Sequence, residues 1–263
     1  MDFEQFVKKM HAKFGLDLTS YKRTQLQRRI NSLMARQQIP DYAAYFRHLS
    51  SNSQALGQFI DYLTINVTEF FRDIKAFRVL EEQILPELLQ RKTRLKIWSA
   101  ACSNGAEPYS LVMILEDLTP GRKHRIEATD LDPNILKVAA RGEYLPQLLR
   151  NVSPERKQKY FEKRNGLFVF DPRLKKRVAF RVHDLLSDRY GTGYDLIVCR
   201  NVQIYFTREA QHRINSGFYR ALSPGGVLFL GASESMFEYQ TLGFERFKLS
   251  FYRKPLVVRT LAT

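Results

Sequence analysis

Arg94-Leu95-Lys96-Ile97-Trp98-Ser99-Ala100-Ala101-Cys102-Ser103-Asn104-Gly105-Ala106-Glu107-Pro108-Tyr109-Ser110 decides the reading of the chain. Leu95, Ile97 and Trp98 predict a short buried strand. Ser99 to Ala106 are small or polar, and Gly105 permits a positive φ or a close backbone approach. Pro108 is expected at the first position of the helix that follows, whose apolar face continues through Leu111, Val112, Ile114 and Leu115. Thr119-Pro120-Gly121 stops it. A strand, a small-residue turn and a helix start form the opening half of a dinucleotide-type α/β fold, which binds its ligand at that turn.

Downstream stretches extend this pattern. Arg125-Ile126-Glu127-Ala128-Thr129-Asp130 reads as a second strand ending in an acid, with Asp132 capping a helix that Pro133 opens and Gly142 closes. Asp130 lies roughly twenty-odd residues past the glycine turn, where a ribose-binding carboxylate is expected. Ser153-Pro154 starts a helix running to Tyr160-Phe161. Gly166 to Phe170 and Arg177 to Arg181 are strand-like runs around Asp171-Pro172, expected as a hairpin or small β insertion near 164–182. Asp184-Leu185 follows at a strand end, where an adenine edge would be met. Tyr194 to Cys199 is a strong buried strand ending in Arg200-Asn201, so Asn201 and Tyr205 are directed at the crevice that also holds Gly105 and Asp130. Phe244 to Leu249 and Phe251 to Arg253 are spaced to pair as a terminal hairpin, which separates a methyltransferase-type sheet from a nicotinamide-binding one.

Upstream, residues 1–62 predict a small all-helical domain, and 63–263 the α/β domain. Helical spacing appears in Phe3, Phe6, Val7 and Met10, then from about Tyr21 to Arg36 with Leu26, Ile30, Leu33 and Met34 inward. Lys22, Arg29 and Arg36 fall in one stripe beside that apolar side. It suits either a solvated face or a docking face for an acidic helix or a phosphate backbone. The connector is Asn66-Val67-Thr68-Glu69-Phe70-Phe71-Arg72-Asp73. Thr68 is a candidate N-cap. Arg72, beside two expected core phenylalanines, suits either a surface salt bridge, the better reading of the residue alone, or a bidentate carboxylate clamp.

Composition sets outer limits. A hydrophobic fraction of 44% over 263 residues is enough for a core of this size. No apolar run is long enough for a membrane helix, and Met1-Asp2-Phe3-Glu4 lacks the pattern of a secretory signal. Cys102 and Cys199 have no metal-ligand spacing, so neither zinc nor a structural disulfide is expected, and a reducing cytoplasm is the simplest setting. The net charge of +15 suits an acidic partner, such as nucleic acid, an anionic membrane surface or a carboxylate-rich protein. It also suits solvated Lys and Arg spread over the surface, and composition favours the first without separating the two.

Four stretches in order carry a resemblance: Asn66 to Arg72, Trp98 to Ser110, Ala128 to Asp132, and Cys199 to Phe206. Over nearly its whole length the chain resembles the chemotaxis receptor methyltransferase family, the CheR type. The resemblance implies a class I S-adenosylmethionine-dependent methyltransferase fold, Rossmann-like with a mostly parallel sheet and an antiparallel terminal hairpin, plus the small helical domain. It implies S-adenosylmethionine as methyl donor, S-adenosylhomocysteine as product, and glutamate carboxylates on receptor coiled coils as acceptors, with the basic helical domain docking the receptor. By matching positions, Asn66, Thr68 and Arg72 would lie near the methionine part of the cofactor. Glu107 would meet its amino group and Asp130 the ribose; Asp184 and Leu185 would flank the adenine, and Arg200 and Asn201 would line the site. Arg72 and Tyr205 would stand beside the methyl group. Ala101, Ala106 and Asp184 depart from the residues usual there. Some members grip a receptor C-terminal pentapeptide through a β-subdomain. The stretch from Arg164 to Leu167 looks shorter than theirs, so dependence on that peptide is not expected.

The implied reaction is in-line attack of a carboxylate oxygen on a sulfonium methyl. A glutamate of ordinary pKa, about 4.3, is already ionised, so no general base is required and catalysis rests on proximity and orientation. Two other readings remain. A nucleic-acid methyltransferase fits the charge, but there is no aromatic cluster beside Asn201 to stack a flipped base, and no nucleic acid is expected. A non-catalytic cofactor-binding module is opposed by the presence of Arg72 and Tyr205.

Overall fold

A computed structural model describes residues 1–64 and 68–256. The helical domain comprises α1 (Phe3–Phe14), α2 (Arg23–Arg36), α3 (Tyr42–Ser51) and α4 (Ser53–Thr64). Asp2 and Gln5 form a capping box at the start of α1, and Gly15 ends it at φ 71°. Phe6, Met10, Leu26, Ile30, Tyr45, Phe59 and Leu63 bury a separate small core. Leu63 belongs to that core and α4 runs to Thr64, so the helical unit extends past the boundary expected at 62.

Thr68 does not cap a helix. Thr68 to Asp73 form an irregular turn, and the next helix, α5 (Ile74–Val79), starts after Asp73 at φ 63°. The reason lies in the backbone donors. Phe70 N–H goes to the Leu148 carbonyl at 3.1 Å and Phe71 N–H to the Ser110 hydroxyl at 3.1 Å, so they hold the turn to the α/β domain. Phe70 and Phe71 are both buried, as expected. A π-helical turn at Leu80–Ile84 links α5 to α6 (Leu85–Arg91).

The α/β domain continues with β1 (Lys96–Ala100), α7 (Ala106–Leu118), β2 (Arg125–Asp130), α8 (Pro133–Arg141), β3 (Glu143–Tyr144), α9 (Pro154–Tyr160), β4 (Phe161–Arg164), β5 (Leu167–Phe170), α10 (Pro172–Lys175), β6 (Val178–Val182), β7 (Tyr194–Cys199), α11 (Arg208–Ala221), β8 (Leu222–Leu230), β9 (Glu245–Lys248) and β10 (Phe251–Arg253). Among the described residues the main sheet has the order β6-β2-β1-β7-β8-β10-β9. β10 is antiparallel to both neighbours, as the terminal hairpin required, while β6, β2, β1, β7 and β8 run parallel. Separate apolar clusters contain side chains such as Ile97 and Val198, and Trp98 and Ile197, consistent with the alternation of strands covered on both faces.

Two local expectations need correction. Ala106, not Pro108, opens α7. Proline is tolerated within that first turn because its missing N–H would have had no intrahelical partner there. The runs at 167–170 and 177–181 are not one hairpin. β5 lies between β3 and β4 in a separate small sheet, whereas β6 pairs in parallel with β2 as an edge of the main sheet. The small sheet therefore draws on residues from 143 to 170 rather than 164 to 182.

Candidate functional site

The sheet order reverses between β1 and β7, and a cleft opens at the carboxyl ends of those strands and of β2. Its floor is the turn after β1. Ala101, Ser103 and Gly105 adopt φ of 62°, 51° and 86°, which folds Cys102 to Asn104 tightly over the strand ends. At the first two positions a side chain is present and the left-handed region costs energy. At Gly105 a Cβ would lie 2.9 Å from that of Ala139, so glycine serves both the turn and the approach of α8.

Charged side chains meet along this floor. Asp130, at the end of β2, is buried and accepts the N–H groups of Ser103 at 2.8 Å and Asp132 at 3.1 Å. Burial pushes its carboxyl up to about 6 despite those bonds. Glu107, in the first turn of α7, is buried and accepts from the Ser99 hydroxyl at 2.8 Å. Burial raises its carboxyl while Arg200 counteracts the rise. The Arg200 guanidinium lies 3.7 Å from both Glu107 and Asp73, with its carbon over the rings of Phe77 at 5.2 Å and Phe229 at 4.6 Å. Asp184 accepts from its own turn, Leu186 N–H at 2.8 Å and the Ser187 hydroxyl at 3.1 Å, and Leu185 beside it faces the same cleft.

The cleft brings these residues together with Thr68, Arg72, Asn201 and Tyr205. Asn66, the remaining candidate, lies outside the described residues. The helical domain contributes a wall that spacing did not reveal. Tyr21 forms an isolated antiparallel bridge with Phe206, and their rings meet edge to face at 5.0 Å. Thr207 N–H donates to the Ser20 carbonyl at 2.8 Å, and Arg213 donates to the Ser20 hydroxyl at 2.7 Å. By spacing alone Tyr21 marks only the start of a helix. Its partner is far away in sequence, and a single bridging residue leaves no periodic signal.

Two family models cover nearly the whole chain. The CheR methyltransferase all-alpha domain matches residues 1–64, and the CheR methyltransferase SAM binding domain matches residues 66–252. The chain belongs to the CheR methyltransferase family. It is 41% identical over 254 residues to the chemotaxis protein methyltransferase of Listeria monocytogenes, covering 96% of this chain and 97% of that one. It is 37% identical over 247 residues to chemotaxis protein methyltransferase 1 of Pseudomonas aeruginosa, covering 89% and 90% respectively. Membership of the CheR family makes the chain an S-adenosylmethionine-dependent methyltransferase, in agreement with the sheet order and its terminal hairpin.

The residues in the cleft fit the CheR cofactor. The cleft holds about 870 Å³ of space, counting the part open to solvent. Three of its residues carry buried polar atoms without a hydrogen-bond partner among the described residues: Ser103 Oγ, His183 Nε2 and Arg200 Nε. Buried polar atoms are normally paired, so a polar ligand would supply what they lack. The buried carboxylates of Glu107 and Asp130 accept hydrogen bonds, as an ammonium and a pair of ribose hydroxyls require. Neither His183 nor Tyr21 was singled out from sequence.

The basic stripe of the CheR helical domain is less uniform than a docking face would be. Arg29 is half-buried, stacks on the Tyr62 ring at 4.8 Å and donates to the Tyr62 carbonyl. Arg36 lies over the same ring at 5.6 Å. Arg29 is thus partly committed to joining α2 to α4, whereas Lys22 and Arg36 are exposed. Among the described residues, no helix is long and apolar enough to cross a membrane.

Proposed function

We propose that this CheR-family protein methylates glutamate side-chain carboxylates of chemoreceptors, with a receptor coiled coil docking on the helical domain near Lys22 and Arg36. The observation that carries the reading is the convergence of Arg72 and Tyr205 on one cleft with Glu107 and Asp130. When bound, S-adenosylmethionine would supply a sulfonium methyl to an acceptor carboxylate oxygen, the O–CH3 bond forming in line as the S–CH3 bond breaks and S-adenosylhomocysteine leaves as the neutral thioether. Arg72 holds that carboxylate through its planar donor fork, and Tyr205 bounds the space around the transferred carbon. Glu107 holds the cofactor's amino group and Asp130 its ribose, with Asp184 and Leu185 beside the adenine. Thr68 and Asn201 complete the methionine end. Arg200 keeps Glu107 and Asp73 in place from below, its guanidinium already committed to both. No residue is needed to remove a proton, because the acceptor is ionised at neutral pH.

The test is incubation with methyl-labelled cofactor and receptor-containing membranes, followed by mild base. Carboxyl methyl esters release volatile methanol, and label that stays bound after base would overturn the reading.

A further inference from the structure

We propose that Glu234 is a positioning residue for the transfer site, an internal anion that fixes the segment carrying Asn201 and Tyr205. Glu234 follows β8 and is buried, and its carboxylate accepts backbone N–H groups from two separate stretches. Oε2 receives Asn201 N–H at 2.7 Å and Gly231 N–H at 2.8 Å. Oε1 receives Val202 N–H at 2.8 Å and Gln203 N–H at 2.7 Å. Successive N–H groups converging on one point form a concavity that binds an anion, usually a ligand. Here a side chain of the same protein fills it.

Three features tie this carboxylate to the reaction site. Asn201 sits at φ 60°, a left-handed conformation that asparagine tolerates better than most residues, and the bond from its N–H to Glu234 holds it there. The 3₁₀ turn Gln203–Tyr205 receives no side-chain cap from Val202, and Glu234 serves its leading N–H groups instead. Gly231 is matched to the arrangement, since a Cβ there would lie 2.6 Å from Glu234 Oε2 and 3.0 Å from Asn201 N. Glutamine has nearly the same shape but offers one acceptor oxygen, so its amide NH₂ would face two backbone donors. The segment would then lose its hold although every residue touching cofactor or acceptor is unchanged.

The inference rests on the roles given above to Asn201 and Tyr205, and its test has arms that do not depend on them. Hydrogen exchange is measured on the full chain, wild type, Glu234→Gln and Gly231→Ala. The amides of Asn201, Val202 and Gln203 are expected to exchange about tenfold faster or more in both variants, with those of β1 and β2 unchanged. S-adenosylhomocysteine affinity by calorimetry should fall about tenfold, and kcat about tenfold to 100-fold with the receptor KM unchanged. Should Glu234→Gln fail to fold, Glu234→Asp keeps the charge on a shorter arm and should give the same changes in weaker form. Unchanged exchange at these amides, or faster exchange with affinity and kcat intact, overturns the proposal. If wild type itself transfers no methyl to receptors, the functional reading fails while exchange and product binding still decide the role of Glu234.

Discussion

The backbone N–H of Lys22 donates to the carbonyl oxygen of Tyr205 at 2.9 Å. The residue that precedes α2 is therefore bonded to the backbone of the tyrosine that lines the cleft, and the Tyr21–Phe206 bridge lies next to it. Domain docking and site geometry meet in one short antiparallel contact.

Tyr21→Ala removes one ring of that contact and part of the cleft wall. We expect a stability loss of about 2 kcal/mol and weaker S-adenosylhomocysteine binding. Urea unfolding and calorimetry check both, and unaltered affinity would remove Tyr21 from the site.

Arg72→Ala should lower methyl transfer far more than cofactor binding, by about 100-fold against less than tenfold, because the donor fork is assigned to the acceptor carboxylate. Single-turnover transfer rates beside product-binding measurements give the comparison. Equal transfer rates in variant and wild type would withdraw that role.

Asp130 makes the site sensitive to pH. Burial raises its folded pKa from 3.8 to about 6, so the folded chain holds this proton more tightly than the unfolded one. The stability it contributes is present below the unfolded value and is lost as pH climbs through the folded value. Ligand binding is expected to follow the opposite course, since the ribose hydroxyls proposed to meet Asp130 would donate to its ionised form. S-adenosylhomocysteine should bind about tenfold more weakly at pH 5 than above pH 7, and Asp130→Asn should bind weakly with a flatter pH profile. A wild-type affinity independent of pH across that range would contradict the assignment.

Gly105→Ala meets two obstacles at once, φ 86° and a backbone atom, Ala139 Cα, 3.2 Å from the new Cβ. Overpacking and strain together should cost about 2–4 kcal/mol, read as a lowered thermal midpoint, with impaired cofactor binding in the fraction that folds. A midpoint equal to wild type would show that α8 can retreat.

The small sheet offers a test of peptide independence. β4 and β5 are joined through Asn165 and Gly166, at φ 48° and 79°, a tight two-residue turn with no extended loop. Titration with an aromatic-rich receptor C-terminal pentapeptide should show no micromolar-scale binding. Saturable binding in that range would reverse the expectation.

What was legible in the sequence follows from local rules. The strand around Ile97 and Trp98, which runs two residues further to Ala100, the left-handed Gly105, the Asp132 cap and the Gly142 stop are set by neighbours in the chain, and each appears in the structure. Thr68 misled because a capping residue followed by apolar residues resembles a helix start, whereas the N–H groups of Phe70 and Phe71 bond across the fold. Arg177 to Arg181 suggest half of a hairpin or small insertion because periodicity identifies a strand but not its partner; the observed strand, Val178 to Val182, pairs with β2 instead. Tyr21, His183 and Glu234 were missed because their roles depend on contacts or burial that only the folded chain creates.

The bridge at Tyr21 ties the start of α2 to the segment that lines the cleft. A target helix seated on α2 would be presented at a set height, so the protein would act as a gauge that selects acceptors by their distance along that helix. Lengthening the chain by one residue between Ser20 and Lys22 would then reset the gauge and change which side chain is modified.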